Sequence, residues 1–288
     1  MVDVPYNTDK IQIEGCQYRS PVSEAILQQI AGGINFLLDR QINVVEFTSS
    51  GTWTPPYPGI KYLLHAGFGG GGGGSAGAYP FDYGGSFWKG PGGAGGNGAP
   101  LNFGLLSGIS YGDILNIVIG TGGAGGVYSA KQGGADGADS LITRLGSTLF
   151  RFPGGGGGNY AEYPETRAAV SKSNFKMRGN GAYGGHGSTT DAVPGETATV
   201  NFLYAEDGQP HIGLGGIKGA NIYSGGGGGG GGVGNGGNGG FYLPVKTPGG
   251  NGGIAAGGGG GGGADGSIAA TPTSGGSGGP GKVWLYYF

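Results

Sequence analysis

The chain has one cysteine, Cys16, with no second thiol to pair with it. A disulfide framework and a cysteine-built zinc site are therefore excluded. Its three histidines, His65, His186 and His211, stand at no metal-ligand spacing from one another, so neither a metal nor a cofactor is expected. Charge is scarce: 15 basic and 17 acidic side chains amount to 11% of the residues and leave a net charge of −2. Such a chain has no electrostatic footprint for nucleic acid or anionic lipid. No stretch approaches the roughly 18 consecutive apolar residues of a membrane span. Met1 to Lys10 also lacks the basic and apolar blocks of a secretory signal. The expectation is a protein made in a cytoplasm, not inserted in a membrane, that reaches the outside by lysis or within a larger particle.

What the chain has in excess is glycine, 79 of 288 residues, against a usual share of about 7%. Collagen is excluded, because no Gly-X-Y register persists and prolines number only 16. A flexible glycine-rich coil is the competing expectation. Aromatic residues at 11% speak against it, since disordered chains are poor in rings and rich in net charge. An ordered fold is expected.

Residues 1–45 are glycine-poor and read as an attachment or trimerisation segment. Ser20 can cap a helix whose first position suits Pro21. Leu27, Ile30, Ile34 and Leu37 then recur at 3-4-3 spacing, with Ile26 and Leu38 widening the stripe, which predicts an amphipathic helix over 21–40. Gly32 and Gly33 inside it cost about 1 kcal/mol each, so the helix needs a partner surface. Its own domain, a three-chain bundle or a socket in another protein could supply one.

Residues 46–288 read as a glycine-rich β head. Short β-branched or aromatic runs bounded by Gly, Pro, Asn or Asp predict strands at 42–48, 61–66, 113–119, 141–145, 148–152, 198–204 and 282–288, with a hairpin turning at Gly146. Strands without intervening helices point to an antiparallel sandwich or jelly roll. Between them lie the uninterrupted runs Gly69 to Gly74, Gly154 to Gly158, Gly225 to Gly232 and Gly257 to Gly263. Ordering glycine costs roughly 1–2 kcal/mol per residue and a backbone hydrogen bond returns about 0.5–1.5. The runs are thus expected to pack side by side as polyproline-II-like polyglycine helices, each backbone pairing with neighbours.

Enzyme chemistry is poorly supplied. Gly276 to Lys282 mimics a phosphate loop, but Val283 stands where Ser or Thr is required. Asp136, Asp139 and Asp265 follow no calcium-loop spacing and suit turns. Carboxylate pairs such as Glu162 with Glu165 leave glycoside cleavage open as a minor alternative, and no enzyme is expected. Binding chemistry is better supplied, by ring-rich inserts between the glycine runs. Tyr79, Phe81, Tyr83, Phe87 and Trp88 form one group, Tyr160, Tyr163, Arg167, Phe175 and Arg178 a second, and Phe241 and Tyr242 a third. Rigid rings beside Arg or Lys bind sugars or protein loops at small entropic cost, and the same rings can equally pack on glycine backbone.

Phe47-Thr48-Ser49-Ser50-Gly51-Thr52-Trp53-Thr54-Pro55-Pro56, then a strand and Gly69 to Gly74, resembles the opening of the glycine-rich domain in bacteriophage tail fibre and tail tip proteins. Gly112 to Gly126, Gly134 to Ser140 and Gly279 to Trp284 follow in that family's order; Pro55-Pro56-Tyr57-Pro58 departs from its single proline. Less closely, the chain resembles glycine-rich adhesins that cap long tail fibres. The resemblance implies a virion surface protein, a homotrimer held to other tail proteins by its N-terminal segment, that touches a bacterial surface glycan or outer-membrane protein. A collar or tip plug without receptor contact is the alternative. Ice binding, a third reading, expects regular tripeptide repeats that the long inserts interrupt.

Overall fold

A computed structural model describes residues 43–60, 62–79, 81–83, 86–88, 92–160, 194, 198–200, 211–213, 216–217, 225–231, 233–241, 246–263 and 271–287. The chain divides into two compact units, Met1–Asn43 with Phe288, and Val44–Tyr287. The helix expected over 21–40, with Leu27, Ile30, Ile34 and Leu37, lies outside the described residues.

The described part is mainly β. Its strands are β1 Asn43–Phe47, β2 Gly51–Trp53, β3 Leu63–Phe68, β4 Phe81–Tyr83, β5 Ser86–Trp88, β6 Asn102–Leu106, β7 Leu115–Val118, β8 Ser140–Arg144, β9 Ser147–Phe152, β10 Ala198–Val200, β11 His211–Gly213 and β12 Lys282–Tyr287. Two sheets carry the core, one ordered β1-β12-β3-β6 and the other β2-β7-β8-β9, while β4-β5 and β10-β11 form separate pairs. Leu63, Leu106, Val283 and Leu285 of the first sheet meet Trp53, Leu115, Ile117, Ile142 and Phe152 of the second in one buried cluster. Apolar residues alternate on the inner faces of both sheets, as a two-layer β packing requires. The terminal strand β12 is central to its sheet, antiparallel to β3 from Lys282↔Phe68 to Tyr287↔Leu63. Outside the core, Trp284 Nε1 donates to Glu46 Oε2 at 3.1 Å and Lys282 pairs with Glu46 at 2.7 Å.

The hairpin β8-β9 turns through Leu145 and Gly146, at φ 50° and 79°, with Arg144 opposite Ser147. Two left-handed residues in a two-residue loop favour Asn-Gly, because leucine pays for its Cβ there. Leu145 is also 94% exposed. Leu145→Asn is expected to stabilise the protein by about 0.5–1 kcal/mol, read as a higher denaturant midpoint with an unchanged slope.

Polyglycine helices are not among the elements seen: the glycine runs carry neither helix nor strand assignment. Where their hydrogen bonds go explains why they join no sheet. Gly70, Gly73 and Ala76 donate to Ala138, Ala135 and Gln132; Gly71, Gly74 and Gly77 donate to Gly279, Gly276 and Thr273; Gly72 and Ser75 donate to Asn97 and Ala94. Successive N–H groups thus leave in three directions, so no single ladder forms. The carbonyls behave likewise: Gly70 and Gly73 accept from Gly155 and Gly158, Gly71 and Gly74 from Gly123 and Gly126, Gly72 and Ser75 from Gly258 and Gly261. Segment 69–78 is therefore enclosed by three segments that accept from it and three that donate to it.

Glycine is needed here for space. Among described glycines, only Gly59, Gly108, Gly112 and Gly146 have left-handed φ, and none belongs to a run. A methyl group on Gly71, Gly72, Gly73 or Gly74 would instead sit under 3.0 Å from the backbone carbonyl of Ala256, Gly156, Ala124 or Gly259. Peripheral segments relax the requirement at every third residue, where the chain faces solvent. Thr121, Ala124 and Val127 are exposed while Gly123 and Gly126 are buried; Asn235 and Asn238 are exposed while Gly237 and Gly240 are buried. Ala94 and Asn97, by contrast, are buried.

Candidate functional site

The hydrogen-bond register gives the glycine-rich segments two ends. At one end, Gly69 follows β3, residues 120–121 follow β7, Asp139 leads into β8, Pro153 follows β9 and Gly281 leads into β12. That end joins the sheets. At the other, Ala76 is level with Gln132, Gly77 with Thr273, Ser75 with Ala94 and Gly261, and Gly260 with Gly226 and Gly240. At these levels the described segments reach Tyr79, the turn 127–132, Tyr160 and Phe241.

The ring-rich inserts leave at this second end. Tyr79 ends segment 69–78, and Phe81, Tyr83, Phe87 and Trp88 occupy the β4-β5 pair, whose register sets Phe81 opposite Trp88 and Asp82 opposite Phe87. Tyr160 follows Gly158, and Phe241 follows Gly240. Phe241 bridges Thr247, its N–H reaching the Thr247 carbonyl at 3.2 Å and Oγ1 at 3.0 Å, which closes the root of that loop. Thr273 Oγ1 donates to the Thr247 carbonyl at 3.0 Å, and Lys246 Nζ donates to Thr271 Oγ1 at 2.8 Å. Tyr163, Arg167, Phe175, Arg178 and Tyr242 lie outside the described residues.

Two residues at this end escape a reading based on ring-rich inserts, Tyr128 and Lys131. Their six-residue interruption of glycine, 127–132, is short and has one ring. The broken glycine spacing between Gly126 and Gly133 is the signal that marks it. Residues Tyr128–Ala130 form a 3-10 turn. The Tyr128 ring lies 6.4 Å from that of Tyr79, and Lys131 Nζ stands 5.9 Å from the Tyr79 ring centroid.

The aspartates set aside as turn residues have a defined role. Asp136 Oδ1 accepts from Gly157 N–H at 2.8 Å and Asp139 Oδ1 from Gly154 N–H at 3.0 Å, while Asp139 also pairs with Arg151. Spaced by three, they continue the period of the array and satisfy donors that no neighbouring carbonyl reaches. Asp136→Ala is expected to cost about 1–2 kcal/mol by orphaning the buried Gly157 N–H, and Asp136→Asn to cost little, both measured by thermal unfolding.

Among the described residues no cluster of His, Cys, Asp and Glu could hold a metal ion, and no helix is long and apolar enough to cross a membrane. The other notable ionisable group, Asp113, serves a loop: the Ser110 N–H and the Arg144 guanidinium, 2.9 Å away, hold its carboxyl below the ordinary range. Residues 46–288 match the family model of a glycine-rich domain. No curated protein matches the chain.

Proposed function

The chain belongs to the glycine-rich domain family, and on that scaffold we propose a virion tail fibre or tail tip protein that recognises the surface of its bacterial host. The observation that carries this reading is directional: the described ring-rich inserts emerge at one end of the glycine array, opposite the end that joins the sheets. Loops held at fixed separations by a rigid body can present a composite binding surface, whereas a tether cannot.

In this proposal the runs are polyproline-II-like polyglycine strands packed around one another, as the three-residue alternation of their hydrogen bonds supports. Residues 1–45 attach the protein to other tail proteins and join three copies through Leu27, Ile30, Ile34 and Leu37. Tyr79, Phe81, Tyr83, Phe87, Trp88, Tyr160, Tyr163, Arg167, Phe175, Arg178, Phe241 and Tyr242 contact a surface glycan or outer-membrane protein. The protein acts by binding, without catalysis or cofactor.

The test is co-sedimentation of the labelled full chain with a panel of intact bacterial strains. Retention on a restricted subset, with protection of those strains from infection by the virus that carries the protein, is expected. Retention on none would leave a collar or tip plug as the function.

A further inference from the structure

Resting on the adhesin reading, we propose that the turn 127–132, with Tyr79, forms a subsite for an acidic saccharide, a sugar ring bearing a carboxylate or a phosphate. The rings of Tyr79 and Tyr128 are inclined at 46° and 6.4 Å apart, and the Lys131 ammonium stands 5.9 Å from the Tyr79 centroid. Tyr128 is 37% exposed, and Lys131 is exposed as well. Among the described residues no carboxylate pairs with Lys131. An ammonium with no carboxylate partner, over the Tyr79 ring that Tyr128 adjoins, has the two features an acidic sugar needs: flat apolar surface for its C–H groups and a counter-charge for its anion. A neutral sugar would leave the ammonium without an anionic partner, and a bare inorganic anion would make no use of the rings.

The turn is held for this purpose. Lys131 N–H donates to the Tyr128 carbonyl at 3.1 Å and Ala130 N–H to the Val127 carbonyl at 3.2 Å. Below them Ala76 N–H donates to the Gln132 carbonyl at 3.2 Å. Lys131 itself caps the 3-10 turn at φ 52°, ψ 50°, a left-handed conformation that suits glycine or asparagine. A lysine kept in a strained position, with no carboxylate among the described residues paired to its charge, fits a binding role better than a structural one.

The experiment titrates the full-length protein with three probes: an oligogalacturonate, a phosphorylated mannose oligosaccharide and a neutral maltooligosaccharide. Binding of one or both acidic probes is expected, weakening as salt rises, and the preferred probe identifies the anion as carboxylate or phosphate. Lys131→Asn relieves the backbone strain, so it should unfold no earlier than the parent chain yet bind the acidic probe about tenfold or more weakly. Tyr128→Ala should weaken binding likewise. Equal binding by Lys131→Asn, equal binding of the neutral probe, or no binding of either acidic probe overturns the subsite. The strain panel separates this failure from that of the adhesin reading. If the parent chain and Lys131→Asn are retained equally by the same cells, the subsite falls and the adhesin stands. If no cell retains the parent chain, the adhesin falls, and the titration still decides whether acidic saccharide binds here.

Discussion

Replacing Gly72 with alanine is expected to abolish the folded glycine array. The added methyl would lie under 3.0 Å from the Gly156 carbonyl, backbone against backbone, with no side chain able to rotate away. Segment 69–78 cannot shift to make room, because its N–H groups are committed to Asn97, Ala135 and Gly276 and its carbonyls to Gly123, Gly155 and Gly258. Overpacking an ordinary core costs roughly 1–3 kcal/mol because side chains yield. Here hydrogen-bonded main chain must yield, so the loss should exceed about 4 kcal/mol, in the range reserved for gross disruption. Ala124→Val is the control. Ala124 faces solvent at the third position of its segment, and the change should fall within about 0.5 kcal/mol of neutral. Thermal unfolding and amide exchange report both. The amides of 70–77 and 257–261 should exchange slowly in the parent chain and quickly in Gly72→Ala. A Gly72→Ala protein that melts within a few degrees of its parent would show that close backbone packing is not what holds these segments.

Acidification is expected to weaken the β core through one residue, His65. Its side chain is 2% exposed, and among the described residues neither ring nitrogen has a hydrogen-bond partner. The ring packs 3.9 Å from Phe150 and 5.5 Å from Phe152, centroid to centroid, over Gly104, whose missing side chain leaves it room. Burial pushes the imidazole down from 6.5 to about 4. The folded state therefore holds His65 neutral while the unfolded chain protonates it below about 6.5. The associated stability is fully present above pH 6.5, declines as pH falls and is gone below about 4. At 1.36 kcal/mol per pH unit the loss is roughly 3 kcal/mol. His65→Leu removes the titrating group and should flatten the stability profile between those limits, measured as denaturant unfolding at a series of pH values. Equal pH slopes for the two proteins would place the titration elsewhere.

His65 also illustrates how far the sequence could be read. Its strand is legible from β-branched and apolar residues, and all seven predicted strands, those at 42–48, 61–66, 113–119, 141–145, 148–152, 198–204 and 282–288, overlap β1, β3, β7, β8, β9, β10 and β12. The partner strand β6, Asn102–Leu106, gives no such signal, because Gly104 interrupts it. That glycine is there for the ring of a residue 39 positions earlier in the chain, and only the β3-β6 register, His65↔Gly104, brings the two together. β2, β4, β5 and β11 are three-residue strands, too short for alternation to emerge from local composition. Asp136 and Asp139 are recognisable as turn residues, but the donors they satisfy belong to Gly157 and Gly154 of another segment.

Composition and local pattern alone determine that this chain is mainly β, that Gly146 turns a hairpin and that its glycine runs must find partners to be ordered. These depend on short-range steric and hydrogen-bonding demands that each segment carries with it. Which runs become neighbours, and which insert stands beside which, is settled by the tertiary structure. A glycine backbone has no side chain to encode a register. Its pairing is imposed by the strands that deliver each segment into the array and by the geometry that sends every third N–H to the same neighbour. For the same reason Lys131 and Tyr79, 52 positions apart, meet at one end: each closes a segment whose level the surrounding backbone has set.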